Sequence, residues 1–122
     1  MELEQKKILV VDDSETMRQM VSMTLQRSGF KILTAENGAK ALQMIKETND
    51  LNLVITDINM PVMSGLQLLK NLRDENKDIS VIILTTESEE GMKKEAVSLG
   101  AIGWIVKPFK PTNLSDIVSR VV

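Results

Sequence analysis

Five short apolar runs of strand length recur along this chain, each followed by a helix-like stretch: Ile8 to Val11, Phe30 to Ala35, Leu53 to Thr56, Val81 to Leu84 and Trp104 to Val106. They are rich in Ile, Val and Leu and do not alternate with polar residues, so they read as strands buried on both faces, as in a parallel sheet covered by helices. The stretches between them, Ser14 to Ser28, Ala39 to Thr48, Gly65 to Glu75, Glu89 to Leu99 and Pro111 to Val122, are amphipathic. In the first, Met17, Met20, Val21, Thr24 and Leu25 keep one helical face apolar, and Gly29 stands where a left-handed helix stop is expected. Strict alternation of strand and helix predicts an α/β doubly wound domain with a five-stranded parallel sheet and five helices. With 122 residues the chain is expected to form a single domain spanning residues 1–122, with no effector domain expected, and it shows no repeat, low-complexity tract or linker.

The apolar runs end in chemistry. Asp12 and Asp13 follow the first, Asp57 the third, Thr85 the fourth and Lys107 the fifth. In open α/β sheets the carboxyl ends of the strands line the ligand crevice where strand order reverses, so three carboxylates, a hydroxyl and an ammonium are expected to meet in one pocket. Neighbouring carboxylates resist ionisation unless cations compensate. Hard oxygen ligands without imidazole or thiolate point to Mg²⁺, which takes one or two carboxylates and keeps several waters. In that scheme Asp13 and Asp57 bind the metal directly, Asp12 holds a water on it, and the backbone carbonyl of Asn59 adds a neutral oxygen. A carboxylate there can accept a phosphoryl group as an acyl phosphate, with Mg²⁺ and Lys107 neutralising the transferred charge and Thr85 donating to a phosphoryl oxygen.

Composition removes several alternatives. Fifteen basic against 17 acidic residues give no net positive field for nucleic acid. Cysteine and histidine are both absent, which excludes disulfides, thiolate metal sites and any mechanism that needs an internal imidazole. The polar start from Met1 to Lys7 does not resemble a signal peptide, and no apolar run approaches a membrane span, so a cytoplasmic location is expected.

From Lys7 onwards these residues resemble the receiver domains of two-component response regulators. Val10-Val11-Asp12-Asp13-Ser14 is similar to the family's acid pair after the first strand, and Asp57-Ile58-Asn59-Met60-Pro61-Val62-Met63-Ser64-Gly65 to its phosphoacceptor loop. Leu84-Thr85-Thr86 resembles the switch threonine site, and Lys107-Pro108-Phe109 the lysine with its following proline. The resemblance implies a flavodoxin-like receiver fold with strand order 2-1-3-4-5 and a cis peptide between Lys107 and Pro108. It also implies phosphorylation of Asp57, Mg²⁺ organised by Asp12 and Asp13, and phosphoryl contacts from Thr85 and Lys107. Within the family the chain looks most like the stand-alone chemotaxis regulators, in which Asn59 and Glu87 would flank the site and modulate dephosphorylation.

By the same resemblance the phosphodonor is a sensor histidine kinase and the output partner a flagellar motor switch protein, with a phosphatase as a further partner and the chain itself a monomer. The output face would comprise the fourth helix, the fifth strand and the fifth helix. Lys93 and Lys94 lie there, although two lysines on a helix are by default a solvated face. Trp104 occupies the switch position where tyrosine or phenylalanine is commoner; its indole N–H donates and does not accept. Gly65 reads as structural, letting backbone approach or opening the third helix after Ser64. Met60 and Met63 read as loop packing. Three alternatives stand beside the chemotaxis reading. One is a receiver in another phosphorelay or motility pathway, and another a docking domain independent of phosphorylation. The third is a Mg²⁺-dependent aspartyl phosphatase, disfavoured because Asn59 stands where such enzymes often place a second acid.

Overall fold

The computed structural model describes residues 5–75 and 77–122; the first residues of the polar start, 1–4, lie outside them. Strands β1 (Lys7–Val11), β2 (Lys31–Ala35), β3 (Leu51–Thr56), β4 (Ser80–Thr85) and β5 (Gly103–Val106) alternate with helices α1 (Glu15–Arg27), α2 (Gly38–Glu47), α3 (Gly65–Asp74), α4 (Glu90–Ser98) and α5 (Pro111–Val121). All strand pairings are parallel, in the order β2-β1-β3-β4-β5. The predicted fold and strand order are both observed.

Two-sided burial follows the two-residue period of the strands. Leu9, Val11, Val54, Val81 and Ile83 face a core shared with Ala41, Ile45, Leu68, Leu69, Leu72 and Ala96, so α2, α3 and α4 cover that side. Ile8, Val10, Leu53, Ile55, Ile82 and Leu84 face the opposite core with Val21, Leu25, Leu114 and Val118 of α1 and α5. Only the three central strands meet the expectation of burial on both faces. In β2, Lys31 and Thr34 are exposed, and in β5, Val106 is exposed, because each is an edge strand with one neighbour.

Helix starts are written locally. The Ser14 side chain accepts from the Met17 amide, and that of Asn37 accepts from the Lys40 amide. Ser64 and Gln67 form a reciprocal capping box at α3, and Pro111 opens α5. Gly29 has φ +95°, the left-handed stop expected after α1. Met20 departs from its predicted place and is half exposed. The inner face of α1 follows the four-residue spacing Met17, Val21, Leu25, with Ser22 beside it, which rotates position 20 onto the flank.

The guanidinium of Arg73 near the end of α3 donates to the carbonyls of Leu99 (2.7 Å), Lys77 (2.8 Å) and Ile79 (3.0 Å). One side chain thereby satisfies carbonyls at the end of α4 and on the approach to β4, fixing α4 against α3.

Candidate functional site

Strand ends set the site. β1 delivers Asp12 and Asp13 at the carboxyl edge of the sheet, and β3 delivers Asp57 beside them through the pairing of Val11 with Thr56. One carboxylate oxygen from each of Asp12, Asp13 and Asp57 lies within 4.8 Å of the others. Lys107, carried just past β5, donates to Asp12 Oδ2 at 2.6 Å and Asp57 Oδ2 at 3.0 Å. The peptide between Lys107 and Pro108 is cis, as the resemblance implied.

The other carboxylate oxygens of Asp57 and Asp12 are held by backbone. Asp57 Oδ1 accepts from the amides of Ile58 (2.6 Å) and Asn59 (3.3 Å), and Asp12 Oδ1 accepts from the amide of Ser14 (2.9 Å). The Lys107 side chain is 8% exposed. Burial alone pushes its ammonium down, and the hydrogen bonds and charges of Asp12 and then Asp57 outweigh that, holding Lys107 above the usual lysine range. Asp13 is exposed and leaves the cluster open on one side.

This donor set fits Mg²⁺: three hard carboxylate oxygens converge, and the chain has no imidazole or thiolate to draw a softer ion. Asp12, Asp13 and Asp57 are the residues that would hold it.

Thr85 is fully buried at the end of β4, and its carbonyl accepts from the Lys107 amide at 2.8 Å. Its hydroxyl accepts from the Glu87 amide at 3.2 Å. The indole N–H of Trp104 donates to the Glu87 carbonyl at 3.1 Å, and Glu87 Oε1 accepts from the Glu89 amide. Thr85, Glu87 and Trp104 thus form one network along the loop after β4, next to the acid cluster. Asn59 is exposed beside Asp57. Lys93 and Lys94 stand apart on α4, where Lys93 approaches Glu90 at 3.8 Å and Lys94 is exposed. Met60 and Met63 pack against the core that covers α2 and α3, as read from the sequence.

Two contributors escaped the sequence reading. Ser14 donates its amide to Asp12 while its side chain caps α1, a double role that its position after the acid pair signals. Arg18 donates Nη1 to the Asp12 carbonyl at 2.6 Å. A cation on the first turns of the helix after two acids was the available clue.

Among the described residues no helix is long and apolar enough to cross a membrane. The model of the response regulator receiver domain matches residues 8–119. The chain is 42% identical over 119 residues to chemotaxis protein CheY1 of Helicobacter pylori, covering 95% of this chain and 96% of that protein. A crystal structure of Vibrio cholerae chemotaxis protein CheY4 superposes with a TM-score of 0.90 at 40% identity, covering 98% of this chain and all of that one. The response regulator TrrA of Thermotoga maritima, solved in complex with Mg²⁺ and BeF, gives a TM-score of 0.87 at 36% identity, with coverage of 97% and 100%. Fold, acid cluster and sequence agree: the chain belongs to the response regulator receiver domain family and is similar to its chemotaxis members.

Proposed function

We propose that the chain is a phosphorylation-controlled signalling switch in chemotaxis, with Asp57 as phosphoacceptor. The observation that carries this reading is the Lys107 ammonium bridging Asp12 and Asp57 at 2.6 and 3.0 Å, with Asp13 alongside. Such a cluster holds a carboxylate ready beside fixed positive charge, which is what transfer of a phosphoryl group to oxygen demands.

The donor is a phosphohistidine on a sensor kinase. An oxygen of Asp57 attacks phosphorus, the P–N bond of the donor breaks as the P–O bond forms, and the kinase imidazole leaves with the electron pair and takes a proton. Bound Mg²⁺ supplies charge neutralisation for the phosphoryl oxygens. Lys107 holds Asp57 and then accompanies the phosphoryl group, while the Thr85 hydroxyl moves to donate its O–H to a phosphoryl oxygen and in moving gives up the Glu87 amide from which it accepts. That movement frees the loop after β4, draws Trp104 with it, and changes the face made by α4, β5 and α5. A flagellar motor switch protein is the partner read by that face, in keeping with the chemotaxis relatives. Hydrolysis resets the switch, at a rate set by how Asn59 and Glu87 admit water.

The test is intact-mass measurement after incubation with Mg²⁺ and a small acyl phosphate, with Trp104 emission followed in parallel. Wild type gains one phosphoryl group and changes emission; Asp57→Asn does neither. A wild type that remains unmodified would leave only a docking role.

A further inference from the structure

Among the described residues Arg18 makes no hydrogen bond or ion pair with the Asp13 or Asp57 side chain, yet it bonds the backbone on which the acid pair is carried. Its guanidinium, one turn into α1, donates Nη1 to the carbonyl of Asp12 at 2.6 Å. That carbonyl belongs to the peptide joining Asp12 to Asp13. The same residue is held at three further points: its amide donates to the Ala35 carbonyl, its Oδ1 accepts from Ser14 and its Oδ2 from Lys107. Asp13, by contrast, is exposed. The peptide behind it, however, accepts a side-chain hydrogen bond from Arg18.

We propose that Arg18 is a positioning residue for the cation site, holding the Asp12–Asp13 peptide so that the Asp13 carboxylate points at the other two. This rests on the reading that the acid cluster binds Mg²⁺. A hydrogen bond from a charged donor to a backbone carbonyl is short and directional, and outer-shell contacts of this kind typically carry about 10- to 100-fold in metal affinity.

The sign of the effect separates positioning from simple electrostatics. Arg18 is a cation near a site for a cation, so on charge alone its removal should tighten Mg²⁺ binding. Positioning predicts the reverse. Lys40 provides the comparison: it pairs with Glu36 in the same neighbourhood and, among the described residues, makes no hydrogen bond or ion pair with the acid pair. Arg18 acts on Glu36 as well, though less than Lys40 does, which places the two cations within one field.

The experiment is calorimetric titration of the metal-free protein with MgCl₂, comparing wild type, Arg18→Met, Arg18→Lys and Lys40→Met, with amide hydrogen exchange over residues 12–14 in each. Arg18→Met should lower Mg²⁺ affinity about tenfold and speed exchange at Ser14. Arg18→Lys, which keeps a donor without the fork, should fall between, and Lys40→Met should match wild type or bind slightly tighter. If Arg18→Met does not fold, the lysine variant carries the comparison. Equal or tighter binding in the Arg18 variants beside a normal wild-type titration overturns the positioning role alone. A wild type that gives no binding at millimolar MgCl₂ overturns the cation site and the positioning role together.

Discussion

Gly65 packs its Cα so closely against the backbone of Asp57 that a Cβ built on it would lie 2.1 Å from the Asp57 carbonyl oxygen. The Gly65 amide also donates to the Ile58 carbonyl at 2.9 Å, so the first residue of α3 is stitched to the strand end that presents the acceptor carboxylate. The contact is backbone on backbone, and no side chain can swing away to relieve it.

Gly65→Ala should therefore destabilise the fold by at least the upper end of the ~1–3 kcal/mol typical of overpacking. It should displace Asp57 as well. Gly29→Ala is the matching control, with φ +95° and open space around it, and should cost about 1–2 kcal/mol, from backbone conformation alone. Urea unfolding of both variants, with phosphorylation scored by intact mass, checks this; an alanine at position 65 that leaves stability and phosphorylation intact would sink it.

Val62 stores strain in the same loop. It is a β-branched residue at φ +70°, spanned by a hydrogen bond from the Met63 amide to the Pro61 carbonyl at 2.8 Å, the pattern of a γ-turn. The residue is 81% exposed, so burial does not offset the backbone energy. Val62→Gly and Val62→Asn should each raise the unfolding free energy by about 1 kcal/mol, the lower end of what such a conformation costs. An unchanged or lower denaturation midpoint in both would show that the turn is unstrained.

The acid cluster was legible because Asp12, Asp13, Asp57 and Lys107 each end an unbroken apolar run, and parallel pairing brings such ends to one edge. Run composition alone does not distinguish an edge strand from a central one, which is why the exposure of Thr34 and Val106 was missed. Met20 was misplaced because three- and four-residue spacings share a helical face until packing selects the phase. Arg18 and Arg73 reach carbonyls, and carbonyls are invisible in a sequence: Arg73 finds Leu99, 26 positions away, only because α3 and α4 pack together. The strand-end chemistry was written in side chains, whereas the supports beneath it are main-chain atoms.

Trp104 joins β5 to the loop after β4 through one donor. Trp104→Phe keeps an aromatic ring against the core and removes the N–H that bonds the Glu87 carbonyl at 3.1 Å. The expected loss is about 0.5–1.5 kcal/mol, with faster amide exchange from Glu87 to Glu89. Trp104→Ala should cost more, since packing goes too. If the phenylalanine variant matches wild type in both stability and exchange, the indole bond does not anchor the loop.

Lys107 gives the metal-free protein a pH dependence of defined sign. Its pKa is raised on folding, so its pairing with Asp12 and Asp57 contributes stability that is fully present below the unfolded lysine value, about 10.4, and is lost as pH rises through the higher folded value. The chain has no tyrosine, so no phenol titrates in that window. Lys107→Met leaves two carboxylates facing each other without their cation, and below pH 10 it should cost on the order of 1.5–3 kcal/mol, the range for a hydrogen bond to a charged group. Because the other lysines titrate equally in both proteins, the quantity to follow is the difference in unfolding free energy between wild type and variant from pH 8 upward. That gap should stay level to about pH 10 and then close. A gap that persists undiminished at the alkaline limit would mean that the Lys107 ammonium does not bind the two carboxylates more tightly folded than unfolded.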